Sequence, residues 1–112
     1  MAISLGATAG LYRAKHEIAI GDGGDVQLRL RMRRHANFVE NVPLALILIA
    51  LLEMRGVTTT AIYSLGAALL LGRILHWAGF NDNARNPIRG LGAGLTTLTI
   101  VVSSVWNIVR FF

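Results

Sequence analysis

The sequence contains no cysteine, which excludes disulfide bonds, thiolate metal sites and a cysteine nucleophile on the protein itself. Acidic residues are also scarce, six against eleven lysines and arginines, so the net charge is +5. Only 15% of the residues are charged while 54% are hydrophobic, which leaves too little polar surface for a soluble domain of 112 residues. The composition indicates a single integral membrane domain, residues 1–112, and argues against a basic nucleic-acid-binding protein.

Three apolar stretches are long enough, with their flanking residues, to form membrane-spanning helices, which need about 20 mostly apolar residues. They cover approximately residues 36–54, 57–71 and 91–109. The apolar run at residues 1–12 reaches only about half a span. It is followed, not preceded, by Arg13 and Lys15, the reverse of a signal peptide. The expected fold is all-α, a membrane-spanning bundle of three full helices and a shortened first helix, which is either a stub or the end of a helix that starts upstream.

The helix boundaries are marked by turn and capping residues. The Gly- and Asp-rich linker at residues 20–25 predicts that the second helix begins near Val26, and Pro43 within it predicts a kink. The third helix is expected over residues 58–80. Asn86 suits the N-cap of the fourth helix and Pro87 suits its first position.

The basic residues are concentrated on one side of the predicted membrane spans. Most of them fall in residues 13–34 and 81–89, and by the positive-inside rule these two segments are cytoplasmic. They are Arg13, Lys15, Arg29, Arg31, Arg33, Arg34, Arg85 and Arg89.

A first candidate site lies where the second helix approaches the lipid. Arg33, Asn37 and Glu40 are separated by four and three residues, which places all three on one helix face. The purely structural interpretation is an ion pair and an amide that join neighbouring helices. Ionisable residues at membrane depth usually mark function, however, and this set suits a zwitterionic ligand, because arginine binds a carboxylate and glutamate an amine. We expect no metal ion here.

A second group, Arg73, His76 and Phe80, shares a face of the third helix. The alternative to function is that Arg73 extends towards the membrane surface and that His76 is a packed, hydrogen-bonded histidine. A third group surrounds the start of the fourth helix, where Arg85 and Arg89 add charge to a helix N-terminus that already favours an anion. These surroundings stabilise a thiolate, although both arginines equally suit binding to lipid headgroups.

These motifs resemble the MAPEG family, the membrane-associated proteins of eicosanoid and glutathione metabolism. The segment from Arg33 to Pro43 is similar to the family's second-helix signature of Arg, three residues, Asn, two residues, Glu and then Pro. Residues 72–89 look like the corresponding part of microsomal prostaglandin E synthase, and the short linker at residues 21–25 resembles bacterial members. The resemblance extends from Arg13 to the C-terminus.

The resemblance implies a four-helix protomer, a homotrimer in the bacterial inner membrane, and glutathione bound between subunits near the cytoplasmic face. Carried over by position, Arg33, Asn37 and Glu40 hold glutathione, with Arg73 added from the third helix. Arg89 matches the arginine that stabilises the thiolate. The implied activity is a transferase or peroxidase of microsomal glutathione transferase type, acting on lipophilic substrates in detoxification. The remaining candidate glutathione-binding residues are His76 and, from the neighbouring protomer, Arg13.

The sequence also departs from the family pattern. Phe80 and Gly90 replace a tyrosine and a serine of the prostaglandin enzyme, and Asn41 replaces a tyrosine of leukotriene C synthase. Synthesis of prostaglandins or leukotrienes is therefore not implied. Two other functions stay open: a small proton-coupled multidrug transporter with Glu40 as the proton carrier, and a non-catalytic scaffold that retains the family fold.

Overall fold

The computed structural model describes residues 1–79 and 86–112. This part of the chain forms four helices: α1 (Ala2–Lys15), α2 (Val26–Met54), α3 (Thr59–Ala78) and α4 (Pro87–Phe111). Of these, α2, α3 and α4 are long and apolar enough to cross a membrane. The 14 residues of α1 extend about 21 Å, less than the roughly 30 Å of a bilayer's hydrocarbon core. The predicted bundle of three full helices and one shortened helix is confirmed.

Two helices begin where their capping residues predict. The carboxylate of Asp25 accepts a hydrogen bond of 3.1 Å from the backbone N–H of Leu28, and this bond lowers the pKa of Asp25. At the start of α4, the side chain of Asn86 accepts a hydrogen bond of 3.0 Å from the N–H of Ile88. Helix α3 ends at Ala78, with Gly79 as its C-cap, two residues before the predicted end at Phe80, which itself lies outside the described residues. Pro43 lies inside a continuous α2, and the predicted kink there stays a prediction.

The three long helices pack together, and α1 packs against α2 alone among the described elements. The apolar core lies between α2 and α3 and is formed by Ala45, Ile49 and Leu69. Most large apolar side chains on the long helices are exposed, which is the arrangement expected of surfaces that contact lipid or another subunit. The buried residues of α4 are instead small or polar: Gly92, Thr96, Thr99, Ser103 and Asn107.

Helices α3 and α4 approach closely because glycines form their contact. A Cβ atom added to Gly92 would lie 2.6 Å from the Gly72 carbonyl oxygen and against the backbone nitrogen of His76. A Cβ atom added to Gly79 would meet the backbone of Arg89. Small residues allow such contacts in membranes, where close backbone packing replaces the hydrophobic effect as the source of helix association.

Near their C-terminal ends, α2 and α4 are joined by hydrogen bonds. Asn107 donates to the Leu48 carbonyl at 2.9 Å, and Arg55 donates to the Asn107 carbonyl at 3.0 Å. Hydrogen bonds of this kind between polar groups hold helices together at membrane depth. A larger cluster of polar side chains lines a cavity at the other end of the bundle, around the start of α4.

Candidate functional site

A cleft of about 430 Å³ lies between α2, α3 and α4. Its volume falls within the range of small-molecule sites in proteins, roughly 300 to 1,000 Å³. Apart from Ala36 and Ala93, its lining consists of polar and charged side chains. These are Arg33, Asn37 and Glu40 of α2, His76 of α3 and Arg89 of α4. Residues far apart in sequence therefore meet in one cleft.

Each helix presents its residues to the cleft for a local structural reason. The continuous helical path of α2 through its N-terminal half keeps Arg33, Asn37 and Glu40 on one face. Arg89 lies in the first turn of α4, immediately after the Asn86 cap and Pro87. The glycine contacts bring this turn against the end of α3, because Gly79 meets the backbone of Arg89 and Gly92 meets that of His76.

Behind the cleft, Arg73 holds the side chain of Asn37. Arg73 is only 5% exposed and donates a hydrogen bond of 2.7 Å to Asn37 Oδ1. Its guanidinium carbon also lies 5.4 Å from the centre of the Phe38 ring, within the range of a cation–π contact. Arg73 fixes the orientation of the Asn37 side chain by bonding its amide oxygen, and the amide nitrogen is a hydrogen-bond donor that a ligand in the cleft can use.

Arg33 and Glu40 are exposed along the cleft wall. Neither side chain makes a hydrogen bond or an ion pair with another residue in the described part of the chain. The structural interpretation, an ion pair and an amide that join neighbouring helices, is met in its amide part by the hydrogen bond between Asn37 of α2 and Arg73 of α3. Its ion pair is not formed by Arg33 or Glu40 within the described residues. The cleft instead presents two guanidinium groups, a carboxylate, an imidazole and an amide donor to whatever occupies it.

The structure places most of the candidate residues together. Arg33, Asn37, Glu40, His76 and Arg89 line the cleft. Arg73 lies one layer behind it. Arg13 lies elsewhere, where it donates to the Gly21 carbonyl at 2.9 Å and contacts Met32 Sδ at 3.3 Å. Its predicted contribution to the site of a neighbouring protomer stays a prediction, and Phe80 and Arg85 lie outside the described residues.

Sequence reasoning missed the glycines that assemble the site. Gly79 and Gly92 place the end of α3 against the start of α4. Gly79 lies within the segment 72–89 that carries the family resemblance, but the sequence motifs assign no role to either glycine. The available signal was the recurrence of small residues every few positions on the two predicted helices, which is a known means of close helix contact. That signal does not identify which glycine of one helix meets which residue of the other.

Comparison with known proteins gives one family and two curated relatives. The family model described as the MAPEG family matches residues 1–109. Inner membrane protein YecN of Escherichia coli K12 is 39% identical over 96 residues, which cover 84% of this chain and 73% of YecN. YecN of Escherichia coli O6:H1 strain CFT073 gives the same values. No solved structure matches the chain significantly. An inner membrane relative and three spanning helices agree with the predicted location in a bacterial inner membrane.

Proposed function

The chain belongs to the MAPEG family, and from this premise we propose that it is a membrane-bound, glutathione-dependent transferase or peroxidase. The observation that carries the proposal is the convergence of Arg33, Asn37, Glu40, His76 and Arg89 on one cleft. The sequence signature by itself places only the α2 residues on a common face. The cleft adds Arg89, a cation at the N-terminus of α4, to these α2 residues. A cation in such a position stabilises a thiolate.

The charges along the cleft are complementary to those of glutathione. This tripeptide carries two carboxylates and one ammonium group at neutral pH, and its thiol is the reactive group. Arg33 provides a two-pronged donor for a carboxylate, and Glu40 provides an acceptor for the ammonium. The amide nitrogen of Asn37, fixed by Arg73, provides a further donor for a carboxylate or peptide carbonyl.

Arg89 is the residue to which we assign stabilisation of the thiolate. A free thiol has a pKa of about 8.5 and is mostly protonated at neutral pH. A guanidinium in the first turn of α4, together with the positive end of the helix dipole, favours the anion. The electrostatic field is in place before the substrate arrives, so no reorganisation is needed during the reaction.

The thiolate would then attack a lipophilic electrophile that reaches the cleft from the membrane. In a transfer reaction the sulfur forms a bond to an electrophilic carbon and the leaving group departs with the bonding electrons. In a peroxidase reaction the sulfur attacks the terminal oxygen of a hydroperoxide and the O–O bond breaks. The alkoxide takes up a proton and leaves as an alcohol, and the glutathione remains as its sulfenic acid. A second glutathione then yields the disulfide and water. Both reactions use the same thiolate, so the cleft by itself does not select between them.

The arrangement in the membrane belongs to the same proposal. By the positive-inside rule, the basic segment at residues 13–34 assigns the N-terminal half of α2 to the cytoplasmic face, where glutathione is abundant in bacteria that make it. We assign the protein to a homotrimer, in which a neighbouring subunit covers the exposed side of the cleft. In that assembly Arg13 of one subunit contributes to the cleft of the next.

Calorimetric titration of the detergent-purified protein with glutathione tests this proposal. The wild-type protein should bind glutathione and S-methylglutathione, because the proposed contacts involve the ends of the tripeptide. Arg33→Gln and Glu40→Gln should each weaken binding about tenfold, as expected for the loss of a charged hydrogen bond of roughly 1.5 kcal/mol. Glu53→Gln is the matched control, because Glu53 is an exposed carboxylate near the opposite end of α2.

The same titration separates the proposal from a transporter. If neither peptide binds while a lipophilic cation binds in a manner that requires Glu40, the result favours the transporter and the glutathione proposal is wrong. Equal losses in Glu40→Gln and Glu53→Gln would show that Glu40 has no specific role. The position of Glu40 beside Arg33 and Arg89 supports a ligand contact, since a proton carrier requires an apolar setting.

A further inference from the structure

A second cavity, outside the glutathione cleft, lies between α1 and the start of α2. It has a volume of about 330 Å³. Its polar end is formed by Lys15, His16 and Arg31, and its aromatic wall is Tyr12. Thr8 and Leu11 complete the lining. None of these residues is needed for the proposed reaction, so the cavity requires a separate explanation.

The cationic end of this cavity is held in place by a chain of contacts that starts at the α2 cap. Asp25, which caps α2, also accepts a hydrogen bond of 3.0 Å from the Tyr12 hydroxyl. The guanidinium of Arg31 lies 4.8 Å from the centre of the Tyr12 ring, and the ring of His16 is stacked on Tyr12 at 4.1 Å. The cluster is therefore preorganised before any ligand binds.

The cavity carries positive charge that the described residues do not neutralise. Arg31 Nε is buried and has no hydrogen-bond partner there. The carboxylate in contact with the cluster, that of Asp25, already accepts hydrogen bonds from Tyr12 and Leu28. A buried guanidinium nitrogen without an acceptor is costly, which favours a ligand that brings an anionic oxygen to it.

The polarity of the cavity changes along α1. Lys15 and His16 lie at the C-terminal end of the helix, whereas Leu11 and Thr8 lie one and two turns back, about 6 and 10 Å away along the axis. Leu11 is 72% exposed. Cations beside a tyrosine at the membrane surface, with an exposed leucine at greater depth, match the sequence of charged headgroup and apolar chain in a phospholipid.

We propose that this cavity, defined by Tyr12, Lys15, His16 and Arg31, binds the headgroup of an anionic phospholipid. Arg31 and Lys15 contact the phosphate, Tyr12 lies beside the glycerol region, and Leu11 contacts the start of an acyl chain. Because α1 packs against α2 alone among the described elements, a lipid in this cavity joins the short helix to the rest of the protein. The proposed lipid site does not depend on the glutathione proposal, and a separate experiment tests it.

Lipid titration of the detergent-purified full chain, followed by native mass spectrometry, tests the site. Dioleoylphosphatidylglycerol should bind the wild-type protein more tightly than dioleoylphosphatidylcholine. Arg31→Gln and Lys15→Gln should each weaken binding of the anionic lipid about fivefold, the value expected for one cation at a membrane surface. Arg29→Gln is the matched control, because Arg29 lies two residues from Arg31 but pairs with Asp22 at 2.6 Å.

The controls give results that would overturn the site. If Arg29→Gln weakens the lipid as much as Arg31→Gln, attraction comes from the overall charge of the segment and not from the cavity. Equal binding of phosphatidylcholine would remove the role of the cations, and displacement of the lipid by millimolar inorganic phosphate would show a site for free anions. Lys15 is exposed, so Lys15→Gln leaves the fold intact even if Arg31→Gln does not.

Discussion

Replacing Arg89 with alanine is expected to lower kcat/KM for conjugation of glutathione to 1-chloro-2,4-dinitrobenzene by about 100- to 1,000-fold. This is the effect of removing one preorganised group that stabilises charge in an active site. In the variant, α4 favours the thiolate through its N-terminus alone, since Arg89 is the cation of α4 that lines the cleft. The conjugation rate of the purified protein measures the effect.

The pH profile distinguishes a role in thiolate stabilisation from a general loss of structure. In Arg89→Ala the pH at half-maximal rate should rise towards the pKa of a free thiol, about 8.5, because a cation no longer favours the anion. Arg110→Ala is the matched control, since Arg110 lies in the last turn of the same helix. An Arg89→Ala protein that conjugates as fast as the parent would refute the role assigned to Arg89.

Replacing Gly92 with alanine is expected to destabilise the protein and to reduce activity at the same time. The added methyl group would press on the backbone of His76 and on the Gly72 carbonyl, neither of which can rotate away as a flexible side chain would. Overpacking of this kind typically costs about 1 to 3 kcal/mol. A shift of α4 that relieves it would also move Arg89 away from α2, because Arg89 lies in the turn before Gly92.

Gly94→Ala provides a sharp comparison, because a Cβ atom at Gly94 meets nothing within 4 Å. Alanine is a better helix former than glycine by roughly 0.5 to 1 kcal/mol, so this variant should be neutral or slightly more stable. Thermal unfolding monitored by tryptophan fluorescence, together with the conjugation assay, measures both variants. Equal melting temperatures for Gly92→Ala and Gly94→Ala would show that the α3–α4 contact is looser than the structure indicates.

Much of the fold follows from features that act locally in the sequence. The lengths of the apolar stretches predict which helices cross the membrane, because bilayer thickness sets a minimum length. Asp25 and Asn86 mark the starts of α2 and α4, because a capping side chain satisfies backbone N–H groups only at a helix end. The fixed helical spacing likewise places Arg33, Asn37 and Glu40 on one face.

The remaining features of the site depend on contacts between helices. The family resemblance identifies Arg73 as a site residue, but only the structure shows that it lies behind Asn37 and donates a hydrogen bond to the Asn37 amide oxygen. The pairing of Gly92 with His76 and of Gly79 with Arg89 depends on the crossing of α3 and α4, which helix periodicity does not specify. Arg13 lies beside Gly21 and Met32 for the same reason, since the path of the linker after α1 determines its neighbours.

The most direct test is an electron cryomicroscopy structure of the protein in lipid nanodiscs with saturating glutathione. We expect density for the tripeptide in the cleft, with its ammonium group at Glu40, a carboxylate at Arg33 and the sulfur within contact distance of Arg89. Tripeptide density confined to another cavity, or an empty cleft at concentrations that saturate binding in solution, would contradict the proposal that these side chains form a glutathione site.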